Sequence, residues 1–229
     1  MATFVLVHGG WHGGWCWKRV AELLVAKHHT VFAPTLTGLC ERSHLLNPEI
    51  DLDTHILDIV NEIKWKDLRD VILVGHSYAG MVVSGVVEKM EKLIAALVMV
   101  DAFFPADGQS CSDLSPFEPR YLKALDEGRT ALSPLTALTF RVNEQDRAWV
   151  DAKCTPQPIQ CLLQPVALSG VRERIGKKAY IRSEFPYAAF DAGMAEARKH
   201  EWDIHEVPGG HDVMIDAPTQ LAEILDGLA

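Results

Sequence analysis

One serine, one histidine and two stretches of bare backbone carry most of the chemistry that this sequence offers. Val71-Ile-Leu-Val-Gly-His-Ser-Tyr-Ala-Gly80 is a Val- and Ile-rich run that stops in small residues, and Met81 to Lys89 continues at once with helical character. A run so apolar and so short reads as a buried strand. Strand, sharp turn and helix are the setting of a nucleophile elbow, which holds Ser77 above the sheet edge with a positive helix N-terminus directed at it. The usual pattern is G-x-S-x-G. Here Ala79 takes the last position and Gly80 follows it. Alanine is still small enough for the turn. The bland alternative is a structural turn serine.

A serine hydroxyl is a poor nucleophile at neutral pH, so it needs a base, and the base needs an orienting partner. Ten histidines are present, and location must choose among them. His211 follows the last strand-like run in the Gly-rich loop Gly209-Gly-His-Asp212, at the same sheet edge as Ser77. His8 and His76 also end strands, but His76 neighbours the serine and points elsewhere on the turn. The alternative for His211 is a packing histidine. The oxyanion formed by attack needs two N–H donors. Tyr78, directly after the serine, offers one from its backbone. Gly10 in His8-Gly9-Gly10 offers the other, because a bare backbone can approach a ligand there. The same glycines could simply turn the chain. None of these steps requires a cofactor or a metal.

The elements that must position these residues alternate. Thr3 to Val7 is a strand, and Trp11 to Trp17 is a loop entering a helix through Val20, Leu23 and Leu24. Thr30 to Ala33 is a strand stopped by Pro34, and Thr37 to Pro48 is an irregular loop. Leu52, Ile56, Ile59, Val60 and Ile63 recur at helical spacing, with Asp51 or Asp53 as N-cap. The elbow follows, and Ala95 to Val100 is a strand ending in Asp101. This order predicts an α/β fold, a mostly parallel sheet with helices on both faces. Residues 105–165 then break it with seven prolines and short helical pieces, which reads as a small helical cap inserted in a single domain spanning 1–229. Ala179 to Arg182 resumes the sheet, Phe190 to Lys199 is helix, and Ile204 to Val207 is the last strand. Asp216 is expected to cap a final helix with Pro218 in its first turn.

The chain has 229 residues, 48% hydrophobic and 23% charged, enough for one domain with a real core. The net charge of −9 argues against nucleic acid or an anionic membrane as partner. No apolar run approaches the ~20 residues that span a bilayer. The first residues lack a basic region and a cleavage site, so no signal peptide is read. The five cysteines lack metal-type spacing and read as reduced thiols in a cytoplasm, each most simply a small buried hydrophobe. A homodimer is left open.

His8-Gly-Gly-Trp-His-Gly-Gly-Trp15, Gly75-His-Ser-Tyr-Ala-Gly80 and Gly210-His-Asp-Val-Met214 together resemble the α/β-hydrolase superfamily. The similar branch holds plant methylesterases, hydroxynitrile lyases and bacterial carboxylesterases of the pyrethroid-hydrolysing kind. Pro34-Thr-Leu-Thr-Gly-Leu-Cys-Glu-Arg-Ser-His-Leu45 and Asp101-Ala-Phe-Phe-Pro105 look like its bacterial esterase side. The resemblance covers nearly the whole chain. It implies a Ser77–His211 pair, Gly10 and Tyr78 as oxyanion donors, His8 shaping the oxyanion loop, a cap over the pocket, and a small-molecule ester as substrate.

In that branch the third catalytic member, an acid, follows the strand written here Ala179 to Arg182. This chain reads Ser183-Glu-Phe-Pro186 instead, with no Asp before Asp191. Three candidates stand. Glu184 is nearest in sequence, Asp191 falls within the next helix, and Asp101 ends the strand after the elbow on the same sheet edge. Some α/β-hydrolases carry the acid on that strand, so Asp101 is favoured, against a simple turn acid. Hydroxynitrile lyases of the branch place Lys after the base histidine and Glu before the nucleophile; this chain has Asp212 and His76, which disfavours that reaction. Epoxide hydrolases and dehalogenases would need Asp at Ser77. Carbon–carbon bond hydrolysis and perhydrolysis stay open, as does a ligand-binding protein with vestigial hydrolysis. The expected substrates are small apolar or aromatic esters, in a pocket drawn from Trp11, Phe103, Phe104, Phe117, Tyr121, Phe140 and Trp149, each equally able to be plain packing.

Overall fold

The computed structural model describes all 229 residues. Its first half alternates as β1 (Thr3–Val7), α1 (Lys18–Ala26), β2 (Thr30–Phe32), α2 (Leu52–Trp65), β3 (Val71–His76), α3 (Ala79–Met90) and β4 (Ile94–Val100). An excursion follows with α4 (Cys111–Leu114), α5 (Glu118–Asp126), β5 (Ala131–Leu132), α6 (Arg147–Lys153), β6 (Gln157–Pro158), α7 (Gln160–Leu163) and α8 (Val171–Arg174). The chain ends with β7 (Lys177–Ser183), α9 (Ala188–Lys199), β8 (Asp203–Val207), α10 (Val213–Asp216) and α11 (Pro218–Gly227). Six strands form one parallel sheet in the order β2-β1-β3-β4-β7-β8. β5 and β6 make a separate antiparallel pair within the excursion.

The parallel sheet explains the unbroken apolar runs. A strand covered on both faces has no polar side to show. In β1, Phe4 and Leu6 enter one hydrophobic cluster while Val5 and Val7 enter the other. The cluster of 39 residues packs α2 and α3 on one face, with Ile56, Ile59, Val83 and Val86 inward. The cluster of 26 packs α1 and α11 on the other, with Val20, Leu24, Leu221 and Leu225 inward. No helix is long and apolar enough to cross a membrane, and all five cysteines are free thiols.

Two expectations about helix ends resolve differently. Asp51, and not Asp53, caps α2, through a capping box in which its carboxylate accepts from the Thr54 N–H at 2.9 Å. Asp216 does not cap α11. Ala217 occupies that position, and the Asp216 carboxylate accepts instead from the N–H groups of Gly210 at 2.8 Å and Asn143 at 3.0 Å. The loop after β2 also contains a short 3-10 turn, Cys40–Leu45.

The elbow helix is held very close to the chain beyond β4. A Cβ built on Gly80 would stand 2.0 Å from the Phe103 carbonyl oxygen, so backbone meets backbone there. Gly80→Ala is therefore expected to destabilise the fold by roughly 3 kcal/mol, the upper end of ordinary overpacking, read as a lowered midpoint in urea. An unchanged midpoint would contradict this close approach.

Candidate active site

Four strand ends converge on one cleft. Beyond β1 come Gly9, Gly10 and Trp11; beyond β3, Ser77; beyond β4, Asp101; beyond β8, His211. Trp11, Ser77 and Asp101 all have left-handed backbone, at φ of 65°, 55° and 42°. Such φ is costly for a residue with a Cβ and persists only where neighbours over-determine it. At Ser77 they do: its N–H donates to the Val100 carbonyl at 3.2 Å, and its own carbonyl accepts from Gly80 and Phe103 at 3.0 and 3.1 Å. Gly9 makes room for the turn, since a Cβ on it would lie 2.8 Å from Ser77 Cβ.

His211 is fixed on every side. Its N–H donates to the Phe140 carbonyl at 2.8 Å, and its carbonyl accepts from His76 Nε2 at 2.9 Å. The Phe190 ring lies parallel to its imidazole within 13°, at 5.0 Å, while Phe140 and Phe185 each stand 5.3 Å away. Its Nδ1 lies 3.2 Å from Asp101 Oδ2. That contact occupies Nδ1 and leaves Nε2 unpaired, and Ser77 and His211 line the same cleft.

Asp101 is buried and richly paired. Its Oδ1 accepts from Arg182 Nη1 and the Ser183 N–H, both at 2.8 Å, and its Oδ2 also accepts from the Ser183 hydroxyl. Burial pushes this carboxyl up, but the His211 hydrogen bond and the Arg182 charge together hold it below the usual range. The other two candidate acids lie elsewhere. Glu184 is exposed. Asp191 accepts from Arg182 Nε at 2.9 Å and so stands behind the arginine that holds Asp101.

The N–H groups of Gly10 and Tyr78 donate to no group of the protein, and both residues line the cleft. A Cβ on Gly10 would be 3.9 Å from Tyr78 Cβ, so the two backbones are neighbours. The Tyr78 hydroxyl meets His55 Nδ1 at 3.0 Å, away from the chemistry. The cleft encloses about 480 Å³, partly open to solvent, and twelve of its sixteen lining residues are hydrophobic. It holds no Lys, Arg, Asp or Glu. No group of three His, Cys, Asp or Glu side chains is arranged for a metal ion.

Of the aromatic residues named from the sequence, Trp11, Phe103, Phe117, Tyr121 and Phe140 line the cleft. Phe104 and Trp149 do not. Phe104 turns to the opposite side of the chain, where the Arg172 guanidinium lies 3.7 Å over its ring and Trp202 packs at its edge. Trp149 packs edge-on against Trp15. Sequence reasoning missed Phe185, Tyr187 and Phe190, an aromatic wall just after β7. Three aromatic residues within six positions were the signal, masked because that segment reads first as the place of an acid.

A nucleophile candidate, an imidazole backed by a carboxylate, and two free N–H groups in an apolar cleft are what nucleophilic acyl transfer requires. Residues 4–224 match the Alpha/beta hydrolase family, and the chain belongs to it. It is 39% identical to a carbendazim hydrolyzing esterase from Nocardioides sp. (strain SG-4G), over all of both chains. It is 34% identical to methylesterase 1 of Arabidopsis thaliana across 44% of this chain and 40% of that one. An extracellular α/β-hydrolase from a Paenibacillus species superposes with a TM-score of 0.86 at 25% identity, covering 100% of this chain and 99% of that one. The protein is a carboxylic ester hydrolase.

Burial at the site sets an acid sensitivity. Burial holds His8 and His76 neutral, each pushed from 6.5 down to about 3. Unfolded, both rings take up protons near 6.5, so between these values the unfolded chain binds more protons and stability falls as the pH drops. Asp101 and Asp212, both held below the usual carboxylate range, add a further loss at lower pH. His12, held above its usual range against its burial by Asp212, stabilises fully below 6.5 and loses that contribution only as pH rises through its folded value. Lowering the pH from about 7 to about 4.5 is expected to remove roughly 2 kcal/mol or more per neutral ring, read as a falling Tm. A Tm that stays constant over this range would contradict the neutral state of both rings.

Proposed function

We propose that the protein hydrolyses small, neutral, apolar or aromatic carboxylic esters through an acyl-enzyme on Ser77. His211 takes the Ser77 proton through Nε2 as the oxygen attacks the ester carbonyl, and returns it to the leaving alcohol. Asp101 holds the imidazole with Nδ1–H toward itself and stabilises the imidazolium. The Gly10 and Tyr78 N–H groups receive the oxyanion. A water, deprotonated by the same histidine, then attacks the acyl carbon and frees Ser77. Residues 105–165 act as a cap, supplying Cys111, Phe117, Tyr121, Leu135, Thr139, Phe140 and Leu162 to the cleft wall.

The observation that carries this reading is the 3.2 Å contact of His211 Nδ1 with Asp101 Oδ2, beside Ser77 in the same aromatic cleft. The absence of any charged side chain from that lining favours neutral substrates. Flat aromatic groups suit walls made of Trp11, Phe140, Phe185 and Phe190. The relative named for carbendazim, an aromatic methyl carbamate, makes carbamate esters a class to test. Asp212 is buried against His12, outside the cleft, so no cation meets a departing cyanide and a lyase reaction is disfavoured.

A chromogenic aryl ester should give burst release of product that disappears in Ser77→Ala, with the fold intact by circular dichroism. Asp101→Asn should lower kcat by about three to four decades, while Glu184→Gln and Asp191→Asn each cost less than about tenfold. Among substrates, neutral aromatic esters and carbendazim should outrun anionic esters, amides and cyanohydrins. Wild-type activity in Ser77→Ala, or a preference for charged substrates, overturns the proposal.

A further inference from the structure

The glycine loop after β1 has nearly all of its polar backbone pinned. His8 Nδ1 lies 2.8 Å from the Gly9 carbonyl, while its Nε2 accepts from the Leu36 N–H at 3.0 Å. His12 Nδ1 lies 2.8 Å from the Gly10 carbonyl. The Trp11 N–H donates to Gln157 Oε1 at 3.1 Å, and the Trp11 carbonyl accepts from the Thr155 N–H at 3.0 Å. The Gly10 N–H remains free. A loop rich in glycine can rotate its peptides cheaply, so these contacts decide where that N–H points.

His12 reaches further than the others. Its Nε2 lies 3.0 Å from Asp212 Oδ2, and Asp212 directly follows His211. A carbonyl and a carboxylate are both acceptors, so His12 must donate from both nitrogens. It is an imidazolium, fully buried with Asp212, and the Cys154 thiol stands 3.9 Å from its Nε2. Its ring is also stacked on Trp15, centroids 5.4 Å apart, which fixes its plane. The pair is neutral overall, so it supplies position more than field.

We propose that His12 and Asp212 form a positioning pair that clamps the oxyanion loop to the loop carrying His211, fixing the Gly10 N–H relative to the base. The proposal rests on the reading of Gly10 as an oxyanion donor. It assigns a use to two residues that the triad leaves idle. It also explains the buried charges: a buried ion pair is weak evidence for stability, and apolar replacements often do as well or better. One built between two functional loops sets their register.

The test compares His12→Gln, Asp212→Asn and the double variant with wild type and Ser77→Ala, on one neutral aryl ester. Losing an oxyanion donor costs about 10²–10³-fold in kcat, so a loosened one should cost roughly 10–100-fold, with KM changed less than about threefold. Inhibition by a trifluoromethyl ketone, whose adduct places an oxyanion in the hole, should weaken in step with kcat. The double variant should be no slower than the slower single, because either change opens the same clamp. Asp212→Asn is isosteric and carries the test if His12→Gln does not fold. Unchanged kcat in the folded single variants, a rise in KM alone, or multiplying losses in the double variant overturns the clamp and leaves the triad standing. Full activity in Ser77→Ala overturns the triad and the clamp together.

Discussion

A carboxylate with no water around it must be matched by donors, and Asp101 has four. Arg182 and the Ser183 N–H serve one oxygen; the Ser183 hydroxyl and His211 serve the other. Removing one partner of a buried charge costs several kcal/mol, far more than a surface ion pair contributes. The ends of β4 and β7 and the loop after β8 are therefore tied at one point. His211 takes its orientation from that point, and the cleft takes its shape from His211. Asp191 extends the tie outward, since it neutralises Arg182 at the protein surface.

Asp101, just beyond β4, is the carboxylate that meets His211, and the segment after β7 brings none to the imidazole. That stretch is short, and its first residues, Arg182 and Ser183, are occupied with Asp101. The residues beyond them pack inward as an aromatic wall. Phe185 and Phe190 flank the imidazole, and Tyr187 packs on Phe190 at 4.5 Å. A carboxylate thus reaches His211 Nδ1 from the end of β4, and the segment after β7 serves as apolar cover. A drier cleft strengthens the few dipoles left inside it.

The alternation of strands and helices was legible in the sequence because parallel strands, covered twice, read as plain apolar runs. The shared sheet edge of Ser77, Asp101 and His211 was legible because Ser77 and Asp101 directly follow such runs and His211 lies in the Gly-rich loop after the last strand. Contacts between distant segments were not. Asp216 looked like a cap from its place before Pro218, yet the backbone gives that position to Ala217, and the carboxylate turns to Gly210 and Asn143. Phe104 and Phe103 are neighbours in a loop, and nothing local says that one faces the cleft and the other Arg172. The pairing of His12 with Asp212 spans 200 residues, and neither residue carries a pattern that announces the other.

The departure from G-x-S-x-G is explained at the level of backbone fit. A left-handed residue with a side chain costs about 1–3 kcal/mol, and Ser77 is one. Around its turn a Cβ would be blocked at Gly9 against Ser77, at Gly75 against Val83, and at Gly80 against the Phe103 carbonyl. In this chain the second elbow glycine is therefore required one position later than the pattern places it. Ala79 is fully buried and opens α3 without strain, because the tight crossing over the β4 loop falls on Gly80. What the elbow needs is a position without a Cβ where helix and loop cross, and the helix can shift that position by a residue while Ser77 keeps its strained turn.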